Sequence, residues 1–255
     1  MAMDPAAYEV VHDLEESHWF FVARRRVLSR LLDQVLDGTD NPTILDVGCG
    51  TGATTGFLER YGEVTGVDIS PLAVKHGREQ GRTRLCLADG GQLPFVEGSF
   101  DLVTALDLLE HLENESMGLR EMWRVLKGGG RLLAVVPAFP LLWSDFDEFS
   151  GHYRRYTSGQ LRETIELAGF DITRLSYFNT LLFPFVWGVR RFKNFAGRWR
   201  AFRLDLEMPT PLLNSFLIKV FSLEGKLMAR RDLPFGVSLA CLARKNSQNP
   251  GANGT

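Results

Sequence analysis

Residues Ile44-Leu45-Asp46-Val47-Gly48-Cys49-Gly50-Thr51-Gly52 decide the fold of this 255-residue chain. An apolar strand runs into a turn crowded with glycine, and a helical stretch, Thr54–Arg60, follows. Gly48 and Gly50 lack Cβ atoms, so they can take unusual backbone angles and let a ligand approach the main chain closely. The turn alone is ambiguous. Gly48, Gly50 and Ala53 also satisfy the loose pattern of a dinucleotide-binding turn, and an ordinary strand-to-helix turn would look much the same.

The strands that follow narrow the choice. Asp68 closes Val64-Thr65-Gly66-Val67-Asp68, and a carboxylate at such a strand end can accept both hydroxyls of a bound ribose. Its other reading is a cap for the helix that starts near Pro71, a task Ser70 can also perform. Asp89 follows Leu87-Ala88, placed to receive the exocyclic amine of an adenine. Asp46, Asp68 and Asp89 thus lie at or near three successive strand ends and converge on one sheet edge. Such a set suits a ligand with amine and hydroxyl donors better than a polyphosphate. Arg82 and Arg84 precede the third strand, away from any phosphate there.

Working outward, strands at Thr43–Val47, Glu63–Val67, Arg84–Leu87, Asp101–Ala105 and Arg131–Val136 alternate with helices at Thr54–Arg60, Pro71–Glu79 and Glu115–Leu126. This alternation predicts an α/β fold whose mostly parallel sheet is covered on both faces, with its ligand at the carboxyl ends of the strands. Upstream, Pro5–Leu36 reads as helical, with Val22, Leu28, Leu31, Leu32 and Val35 at helix-like spacing. Downstream come a helix at Ser158–Ala168 and strands at Phe170–Tyr177 and Val237–Ala243. The insertion between those strands contains an amphipathic stretch, Leu212–Met228, with Leu213, Phe216, Leu217, Val220 and Leu227 near one face. The expected units are a helical cap (1–40), a core (41–178), a helical lid (179–233), a last core strand (234–245) and a disordered tail (246–255).

Composition bounds the function. Hydrophobic residues make up 45%, enough for one sizeable core, and the formal net charge of -2 provides no global attraction to nucleic acid or an anionic surface. No nucleic-acid partner is expected. Cys49, Cys86 and Cys241 match no zinc or redox spacing, so no metal is expected, and the two in apolar strand-like runs read as buried free thiols. The N-terminus lacks an apolar signal-like run, and Leu181–Val189 contains a proline and is too short to span a bilayer. The expected location is the cytoplasm.

The ordered set LDVGCGTG, VTGVDIS, ADGGQLPF, SFDLVTALDLLEHL and MWRVLKGGGRLLAVVP, over roughly Asn41 to Pro137, resembles the class I S-adenosylmethionine (SAM)-dependent methyltransferases, especially the branch similar to ubiquinone-pathway enzymes. That resemblance implies a Rossmann-like, doubly wound sheet of seven strands with an antiparallel last strand. It also implies SAM as cofactor, with S-adenosylhomocysteine as product. By the same resemblance Asp46, Gly48, Cys49 and Gly50 approach the methionine part. Asp68 and Ile69 flank ribose and adenine, Asp89 and Gly90 the adenine edge, and Leu106-Asp107 end the fourth strand. His111 is either a packing residue or a catalytic one.

Two segments look suited to an acceptor, small or lipid-like. His18-Trp19-Phe20-Phe21, followed by Arg24, is similar to a His-Trp-aromatic-Phe stretch in a bacterial subset of the family; Trp19, Phe20 and Arg24 could close over SAM or recruit an anionic acceptor, or simply pack and be solvated. Gly151-His152-Tyr153-Arg154-Arg155-Tyr156 lies beyond the fifth strand, where loops overlie the methyl donor. His152 is the candidate general base on an acceptor hydroxyl, favouring oxygen as the acceptor atom. Tyr153, Arg154 and Tyr156 would orient the acceptor, while Arg155 reads as structural.

The stretch 179–204 lacks acids and interleaves aromatics with arginines. It reads as a packed lid or as a peripheral membrane contact. Two rival functions stay open: an NAD-dependent oxidoreductase of a nucleotide sugar or alcohol, and a non-catalytic SAM-fold binding protein. Asp46 and Asp89 disfavour the first, since neither helps a pyrophosphate. The intact turn and ribose acid disfavour the second.

Overall fold

The computed structural model describes residues 5–188 and 208–246. The basic part of the expected lid or membrane contact, from 189 to 204, and nearly all of the expected tail lie outside the described residues. Two helices, α1 (Pro5–Leu14) and α2 (Trp19–Val35), precede the sheet. The single helical stretch expected there is broken at 15–18, where His18 takes an extended backbone and caps α2 through its ring nitrogen.

The core alternates as β1 (Thr43–Val47), α3 (Ala53–Leu58), β2 (Glu63–Asp68), α4 (Pro71–Glu79), β3 (Leu85–Leu87), β4 (Phe100–Leu106), α5 (Glu115–Val125) and β5 (Leu126–Pro137). A short α6 (Asp145–Phe149), then α7 (Ser158–Leu167), β6 (Phe170–Phe178), α8 (Pro211–Met228) and β7 (Ser238–Lys245) complete it. Among the described residues, seven strands form one sheet in the order β3-β2-β1-β4-β5-β7-β6. Pairing is parallel from β3 to β5, and β7 runs antiparallel to both β5 and β6. The strand order reverses between β1 and β4, which opens a crevice above their carboxyl ends.

Alternation along the strands sends side chains to two faces. Leu45, Val47, Val103 and Ala105 join Leu119, Met122, Leu161 and Ile165 of α5 and α7. Ile44, Leu102, Leu133 and Val135 join Val27, Leu28 and Leu31 of α2 and Phe221 and Met228 of α8. Burying a Leu or Phe side chain is worth about 1.5–3 kcal/mol, so these two clusters hold the doubly covered sheet.

Helix α8 has the expected span but a different phase. Leu217 and Val220 pack on the core, whereas Leu213, Phe216 and Leu227 remain substantially exposed. The buried face instead carries Phe221, Glu224, Gly225 and Met228. Gly225 sets this rotation, because a Cβ there would lie 3.3 Å from the Val27 Cα. Helix α8 lies along α2 and contributes nothing to the crevice wall; of the expected lid, Asn179 and Val186 reach it. No helix among the described residues is long and apolar enough to cross a membrane.

Candidate cofactor and acceptor site

The glycine turn is locked where β1 meets β2. Register pairs Val47 with Val67 and with Ala105, so Gly48, Asp68 and Leu106 emerge at one level. The Gly48 and Cys49 amides both donate to the Val67 carbonyl, at 2.8 and 3.0 Å. Gly48 has φ +72, and a Cβ there would sit 2.8 Å from Leu108 Cδ1, so the position excludes side chains twice over. Gly50, φ +55, donates its amide to Asp68 Oδ2 at 2.9 Å.

Asp68 therefore pins the turn as well as facing the crevice. Its Oδ1 accepts from Ser70 N at 2.8 Å and from the Tyr8 hydroxyl at 3.3 Å. Burial raises its pKa, and the Ser70 and Gly50 amides oppose that rise. Ser70 caps α4 through Oγ, accepting from Ala73 N, which leaves Asp68 free of that duty.

A cavity of about 580 Å³ opens above the strand ends. It is lined by Gly48, Cys49, Gly50, Asp68, Ile69, Asp89, Gly90, Leu106 and Asp107, and also by Trp19, Phe20, Arg24, His111 and His152. Asp89 is exposed there, accepting from Gly91 N at 2.8 Å. Arg24 and Asp107 form an ion pair within the wall.

Four expected residues stand away from it. Asp46 is enclosed below the turn, where Thr55 and Thr104 hydroxyls donate to it at 2.9 and 2.8 Å. A residue two positions before Gly48 still belongs to the strand, so its side chain leaves through a sheet face rather than the sheet edge. Burial pushes the Asp46 carboxyl up to about 6, against the two hydroxyls. Tyr156 is also buried, its hydroxyl donating to Glu115, and burial together with that carboxylate pushes its pKa far up. Arg154 donates to the Glu113 carbonyl and pairs with Glu115 at 3.1 Å, and Tyr153 is exposed beside it.

Four residues outside those expectations complete the site. Glu15, on the α1–α2 link, accepts a hydrogen bond from Thr51 of the glycine turn, and Tyr8 of α1 reaches Asp68. Asp147, fully buried, gathers the loop after β5: Arg155 donates to it at 2.8 and 3.0 Å, His152 Nδ1 lies at 2.9 Å and Ser144 donates its amide at 2.8 Å. Burial alone would raise its pKa, but the His152 hydrogen bond and the Arg155 charge hold it well below the usual carboxylate range. The capping pattern Ser144-x-x-Asp147 was a readable signal. Glu110, an acid inside the apolar stretch after β4, is wholly buried on the cavity wall.

Because ionised Asp147 is an acceptor only, the neutral His152 ring carries its proton on Nδ1 and leaves an Nε2 lone pair. His111 meets His152 edge to face with ring centroids 4.6 Å apart. Burial and the neighbouring His152 depress the His111 pKa to about 3, so it is neutral near pH 7. This wall offers lone pairs to a proton or a cation.

The acids fit the nucleoside half of SAM. Asp68 and Asp89 offer oxygens to hydroxyls and an amine, and Val47, Val67 and Ile69 give an apolar surface between them. The nearby guanidiniums are engaged: Arg24 with Asp107, Arg25 with the Glu15 carbonyl and Glu16. No cation is left at that end for a pyrophosphate among the described residues lining it. Fold and site define a Rossmann-like domain with an acid-lined cavity above its strand ends.

Comparison with known proteins points to methyltransferases. Residues 45–134 match the methyltransferase domain family. A demethylmenaquinone methyltransferase of Tropheryma whipplei is 35% identical over 135 residues, covering 51% of this chain and 53% of its own length. The ubiquinone/menaquinone biosynthesis C-methyltransferase UbiE of Vibrio vulnificus is 28% identical, covering 68% of this chain and 67% of its own. A SAM-dependent methyltransferase of Mesorhizobium loti superposes with a TM-score of 0.54 at 18% identity, over 84% of this chain and 95% of that one, which supports the fold alone. Residues 45–134 thus carry the match to a methyltransferase domain, and SAM is the cofactor that this fold and similarity imply. The chain spans about half the length of the demethylmenaquinone methyltransferases it matches.

Proposed function

We propose that this chain transfers the methyl group of SAM to a small hydroxylated aromatic acceptor of the quinol type. One observation carries the reading: a single cavity joins the nucleoside acids Asp68 and Asp89 to a wall of aromatics and imidazoles. Trp19 and Phe20, at the start of α2, give a flat ring apolar contact, and Glu110, His111 and His152 face its polar edge. The names of the relatives agree with a ring acceptor. Ionising a phenolic hydroxyl enriches both its oxygen and the adjacent ring carbons. His152 favours oxygen as the acceptor atom; the relatives' names favour carbon.

When bound, SAM supplies an activated methyl group on a sulfonium, so the residues must chiefly align the acceptor and exclude water. Asp68 takes the ribose hydroxyls and Asp89 the adenine amine. Asp107, on the cavity wall, offers its carboxylate to the ammonium of the amino-acid end. His152, oriented by Asp147, faces the acceptor hydroxyl.

The test is calorimetric titration with S-adenosylhomocysteine, followed by methyl transfer from labelled SAM to a panel of hydroquinones and phenols. We expect binding by wild type and a loss of about 100-fold in Asp68→Ala, equivalent to about 3 kcal/mol. A folded wild type that fails to bind overturns the reading. Binding without transfer to any ring acceptor returns the chain to a non-catalytic role.

A further inference from the structure

Glu110 presents a problem that methyl transfer alone does not solve. Its residue exposure is 0%, and neither carboxylate oxygen has a hydrogen-bond partner. A carboxyl group in that state forfeits hydration without compensation, a cost of a few kcal/mol. Its own backbone and the charges of Arg24 and Arg155 give partial relief, but those guanidiniums are committed to Asp107 and Asp147. Burial and the Asp107 charge raise the Glu110 pKa well above the usual range.

Two imidazoles stand beside it. One ligand atom each from Glu110, His111 and His152 lies within 4.8 Å of the others. His152 is held from behind, its Nδ1 by Asp147 at 2.9 Å, and the Gly151 backbone lies beside the His111 ring. Metal-bound histidines carry the same second contact, an oxygen fixing the ring and leaving the other nitrogen to the ion.

We propose that Glu110, His111 and His152 form a binding site for one divalent transition-metal ion at the acceptor end of the cavity. Two imidazoles and one carboxylate suit ions of the manganese-to-zinc series. Zinc binds such ligands at about 2.0–2.2 Å, so the three side chains draw inward by rotamer adjustment. A general base would use His152 and would have no need of the other two. A cation uses all three, and gives the buried Glu110 carboxyl the partner it lacks. The cavity provides room for further ligands, and an acceptor hydroxyl placed there is made more acidic. The site thus differs from the metal-free expectation drawn from the cysteines, since it is assembled from residues 110, 111 and 152 in space.

The test is titration of tag-free protein with Zn²⁺ by calorimetry and with Mn²⁺ by electron paramagnetic resonance. The comparison includes Glu110→Gln, His152→Asn and, as a control at the stacked His12–His76 pair, His76→Ala. We expect one equivalent of metal on wild type and His76→Ala, with affinity lowered more than about tenfold in the other two. Zn²⁺ should also raise the Tm of wild type and leave Glu110→Gln unmoved. Glu110→Gln keeps the side chain's size and an acceptor oxygen, so it should fold. Failure of wild type to bind, unchanged affinity in both site variants, or loss only in His76→Ala overturns the proposal. The readout is metal binding, so it stands apart from S-adenosylhomocysteine binding: failure of either leaves the other interpretable.

Discussion

The two ends of the cavity are built in opposite ways. The end proposed for the nucleoside comes from short local segments: a turn, and acids that directly end β2 and follow β3. Its polar groups are satisfied, with Asp68 accepting from two backbone amides and a tyrosine. The acceptor end is assembled from the turn after β4 and the loop after β5, some forty residues apart in the chain. There one carboxylate, Asp147, is saturated with donors while another, Glu110, has none. Backbone geometry thus shapes the glycine-turn end, whereas the opposite wall depends on tertiary contacts and retains an unsatisfied carboxyl.

If Asp147 is what holds the acceptor end together, Asp147→Asn should have the largest effect on stability. Arg155 is almost wholly buried against it. Removing one member of a buried ion pair costs about 3–5 kcal/mol. Chemical denaturation should show a loss of that size. A loss below about 1 kcal/mol would mean that solvent or another group readily satisfies Arg155, and that the wall is far less rigid than its geometry.

Asp46 tests the other end. Its carboxyl is pushed up to about 6, against about 3.9 in an unfolded chain. The folded state therefore binds the extra proton between those values. Stability from this group is greatest below pH 4 and falls as pH rises to about 6, by about 3 kcal/mol in total. Asp46→Asn removes that dependence. Relative to wild type, the variant should gain roughly that amount between pH 4 and pH 7.5. A constant difference across this range would show that Thr55 and Thr104 stabilise the ionised form fully.

At Gly48 the prediction concerns backbone. Alanine must adopt φ +72 and displace Leu108, costing about 1–2 kcal/mol in conformation before any steric term. Gly48→Ala should lower the Tm and weaken S-adenosylhomocysteine binding together, because the same turn does both jobs. Gly38, also at positive φ but with open space around it, should show the Tm effect without the binding effect. Equal binding losses at both sites would break the assignment of the turn to the ligand.

What the sequence made legible follows the same division. The turn, the strand-end acids and the alternation of strands and helices are local patterns, and the structure has them at the expected positions. Asp46 lies next to the turn along the chain, which suggests the ligand edge, but the pleat sends its side chain beneath the turn. In the run 151–156 successive side chains diverge. His152 enters the cavity, Tyr153 faces solvent, Arg154 reaches back to residues 113 and 115, and Tyr156 is buried. No periodicity announces that split, since it depends on where Asp147 and Glu115 lie. The phase of α8 was missed for a related reason: hydrophobicity marked Leu213 and Phe216, but the small Gly225 chose the face.

Tyr8 gives the smallest effect and the finest comparison. Its hydroxyl, 3.3 Å from Asp68 Oδ1, occupies an oxygen that the ribose would use. Two outcomes are physically distinct. If the hydroxyl competes with the ribose, Tyr8→Phe frees the carboxylate and tightens S-adenosylhomocysteine binding, by about two- to fivefold for a net hydrogen bond of 0.5–1 kcal/mol. If α1 instead closes over the ligand and the hydroxyl moves onto the ribose, the variant weakens binding by a similar factor. We expect tightening, because the contact is long and Asp68 already receives two backbone amides that need no help from Tyr8. Weakening would make the first helix part of the cofactor site, and the contrast between a local nucleoside end and an assembled acceptor end would lose its sharpness.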